Sequence, residues 1–331
     1  MIRSKISFVS GYTPDNIVTS EEVEKMINKS DKLLPEKLIE QKFGVKQRRF
    51  AEKSVQSSDL ASNAGLKILE QIDKSTIDCL IFASGSSDLI EPATASIIQS
   101  KLKLNCPAFD VKNACNSFVS GLQVADAFIL SKQYKKILIV IGEKLSTIIK
   151  FSPDDKKDLS KRFACLSMGD GGAAVLVEPA TDESGLYCQL FETHGDYWHL
   201  CTVPGGGSIH SQDGSKIYFE GKTKELRDVF MVKKDSIAER CLEKTGWKMA
   251  DIDLFFMHHV SKSTFDLVAN SLGVDPKKFF NVIENYGNMA AASIPFALSH
   301  AEQNGKLKKG DKIMIIGLAS GISISIQLMI W

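Results

Sequence analysis

At 331 residues the chain is long enough to bury a sizeable core, as one large or two fused α/β units. Its 44% hydrophobic and 24% charged residues are those of an ordinary globular protein, and 41 Lys+Arg against 40 Asp+Glu leave a formal charge of +1, which argues against a nucleic-acid partner. The apolar run at the N-terminus is too short for a signal peptide and no segment approaches eighteen uninterrupted apolar residues, so a membrane partner is not expected and a cytoplasmic enzyme is the simplest reading.

In chain order, the first predicted element is a helix over 19–28, where Thr19 and Glu22 stand at capping-box spacing. A second, 58–71, shows the 3.6-residue apolar period of a helix packed on a sheet. Short apolar, β-branched runs predict strands at 78–84, 136–142 and 173–178, with a strand-like approach at 108–111 leading into a helix over 116–132. The stretch 182–215, with Pro204-Gly205-Gly206-Gly207 and Asp213-Gly214, reads as loop-rich. A helix over 222–245 follows, then a second set of strands at 253–258, 312–317 and 322–330 with a helix-like stretch, 289–303, inside it. The two sets match in order and spacing, which favours duplicated halves at 1–178 and 179–331.

The seven cysteines are scattered without a C-x-x-C pair, which speaks against a disulfide framework and a zinc ribbon. His194, His199, Cys201 and His210 lie close in sequence but fit no common ligand spacing, so no metal is expected. Cys115 differs from the rest by its position at a strand-to-helix junction, where unpaired N–H groups and the helix dipole are expected to favour a thiolate.

At this junction the chain resembles β-ketoacyl-acyl-carrier-protein synthase III and its relatives in the thiolase superfamily. Cys106-Pro107-Ala108-Phe109-Asp110-Val111 before Ala114-Cys115 resembles the family's nucleophile segment. Phe43-Gly44-Val45 with Arg48-Arg49 resembles its early Gly-Ile…Arg stretch, and Met168-Gly169-Asp170-Gly171-Gly172-Ala173 its Gly-Asp-Gly-Ala turn. Met257-His258-His259-Val260-Ser261 falls where the family has His-Gln-Ala-Asn, of which only the first residue is kept. Tyr286-Gly287-Asn288-Met289-Ala290-Ala291-Ala292-Ser293-Ile294-Pro295 is similar to Gly-Asn-Thr-Ser-Ala-Ala-Ser-Val-Pro.

The resemblance implies a five-layered α/β/α/β/α sandwich of two duplicated halves, a homodimer, and a Claisen condensation with no bound cofactor. Its substrates would be acyl thioesters of acyl carrier protein or coenzyme A, in fatty-acid or polyketide-like biosynthesis. Cys115 would be the acyl-accepting nucleophile, and His258 and Asn288 two donors that stabilise an enolate. The backbone N–H of Cys115 and one from the loop at Ser320 would form a second oxyanion hole. Leu38 and Lys42 fall where synthase III enzymes have a Trp and an Arg that clamp the adenine of coenzyme A, which favours a carrier protein as donor. Glu91 falls at the place of a residue that crosses the dimer interface, where the long-chain head-to-head enzymes carry a glutamate base. Condensation of the acyl group on Cys115 with a malonyl or β-ketoacyl thioester is the leading reading, with the decarboxylative malonyl reaction as its default. The alternatives are a non-decarboxylative, head-to-head condensation giving a β-keto acid, pyrone or alkylresorcinol-type product, acyl transfer to oxygen or nitrogen, and a silent partner subunit.

Overall fold

The computed structural model describes residues 2–29 and 33–331. Two sheets organise it. The first has the order Ser4–Tyr12, Gly171–Pro179, Ile137–Glu143, Cys79–Ala83, Ala108–Val111, with its last three strands parallel to one another. The second has the order Leu254–Met257, Lys312–Ala319, Ser323–Ile330, Gly185–Thr193, with only the first pair parallel.

Period-two alternation makes each sheet apolar on both faces. In the first sheet Leu80, Phe82, Leu138 and Val140 pack outward against Ala61, Ala64, Ile68 and Ile98 of the helices Ser57–Leu69 and Thr94–Leu102. Their neighbours Ile81, Ile139 and Val175 face inward, onto Phe118 and Leu122 of Ser117–Leu130 and Ile294 and Leu298 of Ser293–Gln303. Phe256, Ile313 and Ile315 of the second sheet close this central cluster from the other side. On the far face of the second sheet, Phe255, Met314 and Ile324 meet Ile237 and Cys241 of Thr223–Thr245 and Phe265 of Lys262–Leu272. Helices, sheet, helices, sheet, helices: the chain is the five-layered α/β/α/β/α sandwich.

The Thr19 capping box forms as expected, with Thr19 N–H donating to Glu22 Oε2 (2.7 Å) and Glu22 N–H to Thr19 Oγ1 (3.1 Å). The stretch 182–215 departs from expectation, because it holds the nine-residue strand Gly185–Thr193. That strand completes the edge of the second sheet against Ser323–Ile330, and its irregular burial hides the alternation by which strands are recognised. Ser4–Tyr12, an edge of the first sheet, is likewise a strand whose irregular burial leaves no clean alternation in the sequence.

Candidate active site

Ligand sites in open α/β sheets gather beyond the carboxyl ends of parallel strands, and two such ends converge here. Ala108–Val111 runs into a turn in which Ala114 takes φ +46°, a left-handed conformation sparsely allowed to a residue with a side chain. Cys115 follows, one residue before Asn116, the N-cap of Ser117–Leu130. The amides at this helix start are already engaged: Asn116 N–H donates to Asn113 O (2.9 Å) and Ser117 N–H to Ala114 O (3.1 Å). Asn116 Nδ2 also donates to Ser323 O (3.0 Å), so the turn is stitched to the second sheet.

Cys115 is half-buried. Burial first, then the Glu143 carboxyl and Cys201, push its thiol up to about 12. The acidification expected at the helix start is outweighed in this geometry: the Cys115 backbone N–H lowers the thiol pKa, but burial beside another acid raises it by more. Glu143 is itself buried, which raises its pKa, while its carboxyl accepts from Gly85 N–H (2.7 Å), Ser86 N–H (3.1 Å) and Ser86 Oγ (2.6 Å). It thereby fixes the start of the loop that leads to Glu91.

His258 stands one residue beyond Leu254–Met257, its N–H extending the ladder to Ile316 O (3.2 Å). Burial, opposed by the Ala290 backbone, brings its imidazole down to about 4, so it is neutral at ordinary pH and can donate one ring N–H without carrying a charge. The adjacent His259 is fully buried against Phe265, ring centroids 5.5 Å apart, and is brought down to about 3 by burial and then by His258. It is a core residue. Ser261 caps Lys262–Leu272, its Oγ accepting from Thr264 N–H (3.2 Å), so the change from the family's asparagine keeps a good N-cap type.

The third residue is held by the motifs that accompany it. Asn288 N–H donates to Ser167 O (2.9 Å) and its carbonyl accepts from Gly169 N–H (3.0 Å), which joins it to the Gly-Asp-Gly turn. Gly287 sits at φ +68°, where a Cβ would lie 2.4 Å from Ser167 O, so only glycine allows this approach. Asp170 accepts from Ala51 N–H (2.8 Å), Ser146 N–H (2.8 Å) and Ser146 Oγ (2.6 Å), tying the same turn to two more segments. Arg48, fully buried, donates to Leu166 O (2.9 Å) and lies against Gly169 and Gly287; burial lowers its pKa to about 10. Asn288 Oδ1 accepts from Ala290 N–H (2.8 Å), which turns the amide so that its NH₂ is the group left for a ligand.

Cys115, His258 and Asn288 line one chamber of about 430 Å³, together with Ser320. A second chamber, about 490 Å³, also reaches Cys115 and Ser320 and is lined by Glu143, Ser86 and Thr147. Phe219, Cys201 and Met168 wall both, and none of the three was singled out as a wall residue from sequence; no local period marks them, because loop packing brings them in. Lys42, Lys224 and Arg227 line the first chamber, whereas Leu38, half-buried, packs against the cluster that holds Leu34 and Ile39. Glu91 is exposed and is not among the residues lining these chambers; its neighbour Ile90 is 90% exposed. Among the described residues no group of three or more His, Cys, Asp or Glu is placed to hold a metal ion, and no helix is long and apolar enough to cross a membrane.

The geometry has counterparts among known proteins. Residues 109–195 match the family 3-oxoacyl-[acyl-carrier-protein] synthase III, and residues 242–331 match its C-terminal family. The chain is 33% identical over 342 residues to the β-ketoacyl-[acyl-carrier-protein] synthase III of Natranaerobius thermophilus, covering 100% of both proteins. It is 30% identical over 339 residues to that of Koribacter versatilis, covering 99% of this chain and 98% of the relative. The solved 3-oxoacyl-[acyl-carrier-protein] synthase III of Aquifex aeolicus is similar at TM-score 0.88 and 28% identity, covering 99% of this chain and 100% of that one. OleA of Xanthomonas campestris with bound cerulenin is similar at TM-score 0.90 and 26% identity, covering 100% and 98%; another OleA structure holds lauric acid and lauroyl-CoA.

Proposed function

We propose a reaction course for this chain, which belongs to the 3-oxoacyl-[acyl-carrier-protein] synthase III family of condensing acyltransferases, in which Cys115 carries the acyl group and His258 and Asn288 serve the second substrate. The observation that carries it is the convergence of these three side chains on one chamber. The Cys115 sulfur attacks the donor thioester carbonyl, the donor thiol leaves, and the thiol proton passes to it, so one thioester replaces another with little change in free energy. The thiol is protonated at rest, so proton loss accompanies attack. A malonyl thioester then loses carbon dioxide, and its enolate oxygen is held by the neutral His258 ring N–H and the Asn288 NH₂. The enolate carbon attacks the acyl carbonyl on Cys115, whose oxygen faces the N–H groups of Cys115 and Ser320, and the freed sulfur recovers a proton. No bound cofactor enters this course.

Acyl carrier protein is the proposed donor. Leu38 packs half-buried against a core cluster and offers no ring to an adenine, while Lys42, Lys224 and Arg227 at the chamber suit the phosphate of a carrier's prosthetic arm. Presented with one acyl group on each carrier, Cys115 should acylate faster from the carrier protein. A clear preference for the coenzyme A thioester refutes the assignment. A homodimer is proposed with it, on the support of the free outer edge of Ala108–Val111 among the described strands and the exposed Leu89, Ile90, Trp198 and Ile209 near it in the fold.

Two chambers meeting at one cysteine favour a second reading, a head-to-head condensation of two acyl chains with Glu91 reaching in from the partner subunit as base. Such a base has no task when decarboxylation generates the carbanion, but is needed when a proton must leave an unactivated thioester. Glu91→Gln should then preserve acylation and suppress condensation, and mixing it with Cys115→Ala should restore activity at the one site that has both wild-type groups. Full activity of the Glu91→Gln homodimer removes Glu91 from the chemistry and leaves the malonyl reaction.

A further inference from the structure

The two chambers share a wall at Phe219, which precedes the short strand Glu220–Gly221 paired with Cys201–Thr202. A Cβ on Gly221 would stand 2.9 Å from the Phe219 ring and 3.0 Å from Cys201 Sγ, so the ring occupies a niche that a larger residue at 221 would close. Its backbone is held from one direction by Phe219 N–H donating to Ile148 O (3.0 Å). From the other it is held by Arg162, whose Nη1 donates to Phe219 O (3.1 Å) and Nη2 to Glu220 Oε1 (2.8 Å). The third arm of the fork, Nε, donates to Asp158 Oδ1 (2.8 Å), and Lys150 Nζ pairs with Asp158 and Asp154 (3.0 and 2.7 Å).

An exposed ion pair would add little, but the Arg162 side chain is only 8% exposed and makes a bond with each arm of a rigid planar group. Burial raises the Asp158 pKa, yet the hydrogen bonds from Arg162 and Lys150 outweigh it and hold the carboxyl at about 2, so the pairing persists across the working pH range. Arg162 belongs to the helix Lys156–Arg162, and its neighbours Phe163 and Ala164 line the first chamber. The network thus joins two pieces of chamber wall that are far apart in sequence.

We propose that Arg162 is a positioning residue which, by latching the Phe219–Glu220 backbone, fixes the Phe219 ring as the shared wall and so sets the acyl chain lengths that the space around Cys115 admits. The proposal rests on the reading of Cys115 as acyl carrier. Its consequence is selectivity rather than rate: without the latch the ring can withdraw, and longer chains gain room that short ones do not use.

The test follows acylation of Cys115 by intact-protein mass spectrometry with a graded series of saturated acyl thioesters, alongside hydrogen exchange at the Phe219 amide and at that of Lys222, which follows the strand Glu220–Gly221 and donates to Leu200 O (2.7 Å). Phe219→Ala should favour the longest donors over the shortest by about tenfold or more relative to wild type, the scale on which apolar pockets discriminate. Arg162→Met should move the profile the same way and speed exchange at both amides, and Arg162→Lys, which keeps the charge but loses the fork, should fall between it and wild type. If Arg162→Met does not fold, Glu220→Ala removes one arm of the latch and must shift the profile in the same direction. An unchanged profile in a folded latch variant, or an equal loss at every chain length, overturns the proposal. Wild-type protein that takes an acyl group at no cysteine overturns the functional reading and the selectivity claim with it, whereas unaltered exchange in Arg162→Met overturns the latch alone.

Discussion

Replacing Cys115 with alanine should give a folded protein that takes up no acyl group and forms no product. The substitution removes the sulfur and little volume from a half-buried position, and the turn around it is held by Asn113, Asn116 and Ser117 rather than by the thiol. Intact-protein mass spectrometry with acyl thioesters reads the result directly; an adduct persisting on another cysteine, or undiminished turnover, would remove Cys115 from the mechanism. The wild-type thiol carries a second expectation. With its pKa pushed up to about 12 by burial and then by Glu143 and Cys201, the thiolate fraction near pH 8 is on the order of 10⁻⁴. Alkylation of Cys115 should therefore climb about tenfold per pH unit from pH 7 to 10, and a plateau near neutral pH would mean that the helix end governs its acidity after all. Cys201, which lines the same two chambers and is pushed up to about 11 by burial, sets the background against which that rate is measured.

Much of the candidate site is legible in the sequence, because its residues sit where the chain changes from strand to helix or loop. Cys115, His258 and Asn288 each lie at such a junction, and the residues around them are constrained by backbone geometry: Gly287 by its positive φ, Asp170 by three donors from two separate segments. Those constraints leave marks in sequence order. The strand Gly185–Thr193 left none, since one edge of a sheet with mixed burial does not alternate cleanly and the glycine-rich run after it suggested loop throughout. The acidity of Cys115 depends on features of the same kind: position beside a helix start is readable, but how deeply the thiol is buried and which acid lies next to it are matters of the folded turn. Phe219 and Arg162 were out of reach because their roles depend on each other across 57 positions of chain. By contrast, Ser261 shows a departure from the family's asparagine that costs the local structure little, since both types cap helices.

His258→Ala and Asn288→Ala should still acylate at Cys115 yet lose condensation by about a hundredfold or more each, the scale of a deleted oxyanion-hole donor. A burst of acyl-enzyme without product is the signature, and normal condensation in either variant would refute that residue's role. The orientation of Asn288 sharpens the test. Its Oδ1 is engaged by Ala290 N–H, so an aspartate would keep that bond while presenting a second oxygen where the NH₂ had been. Asn288→Asp should therefore condense no better than the alanine variant, because an acceptor facing a developing enolate repels the charge that the amide attracts. His258 adds a pH dependence. Burial brings its ring down to about 4 from the usual 6.5, so the neutral donor survives to mildly acidic pH and the acid limb of condensation should follow its protonation near 4. For stability the sign is the same: the unfolded chain binds a proton at His258 below about 6.5 while the folded one does not, so this contribution is complete above that value and declines as the pH falls toward 4. Asn288→Ala should leave that stability profile in place and His258→Ala should reduce its slope, while His259, brought down to about 3 by burial and then by His258, supplies the slope that remains.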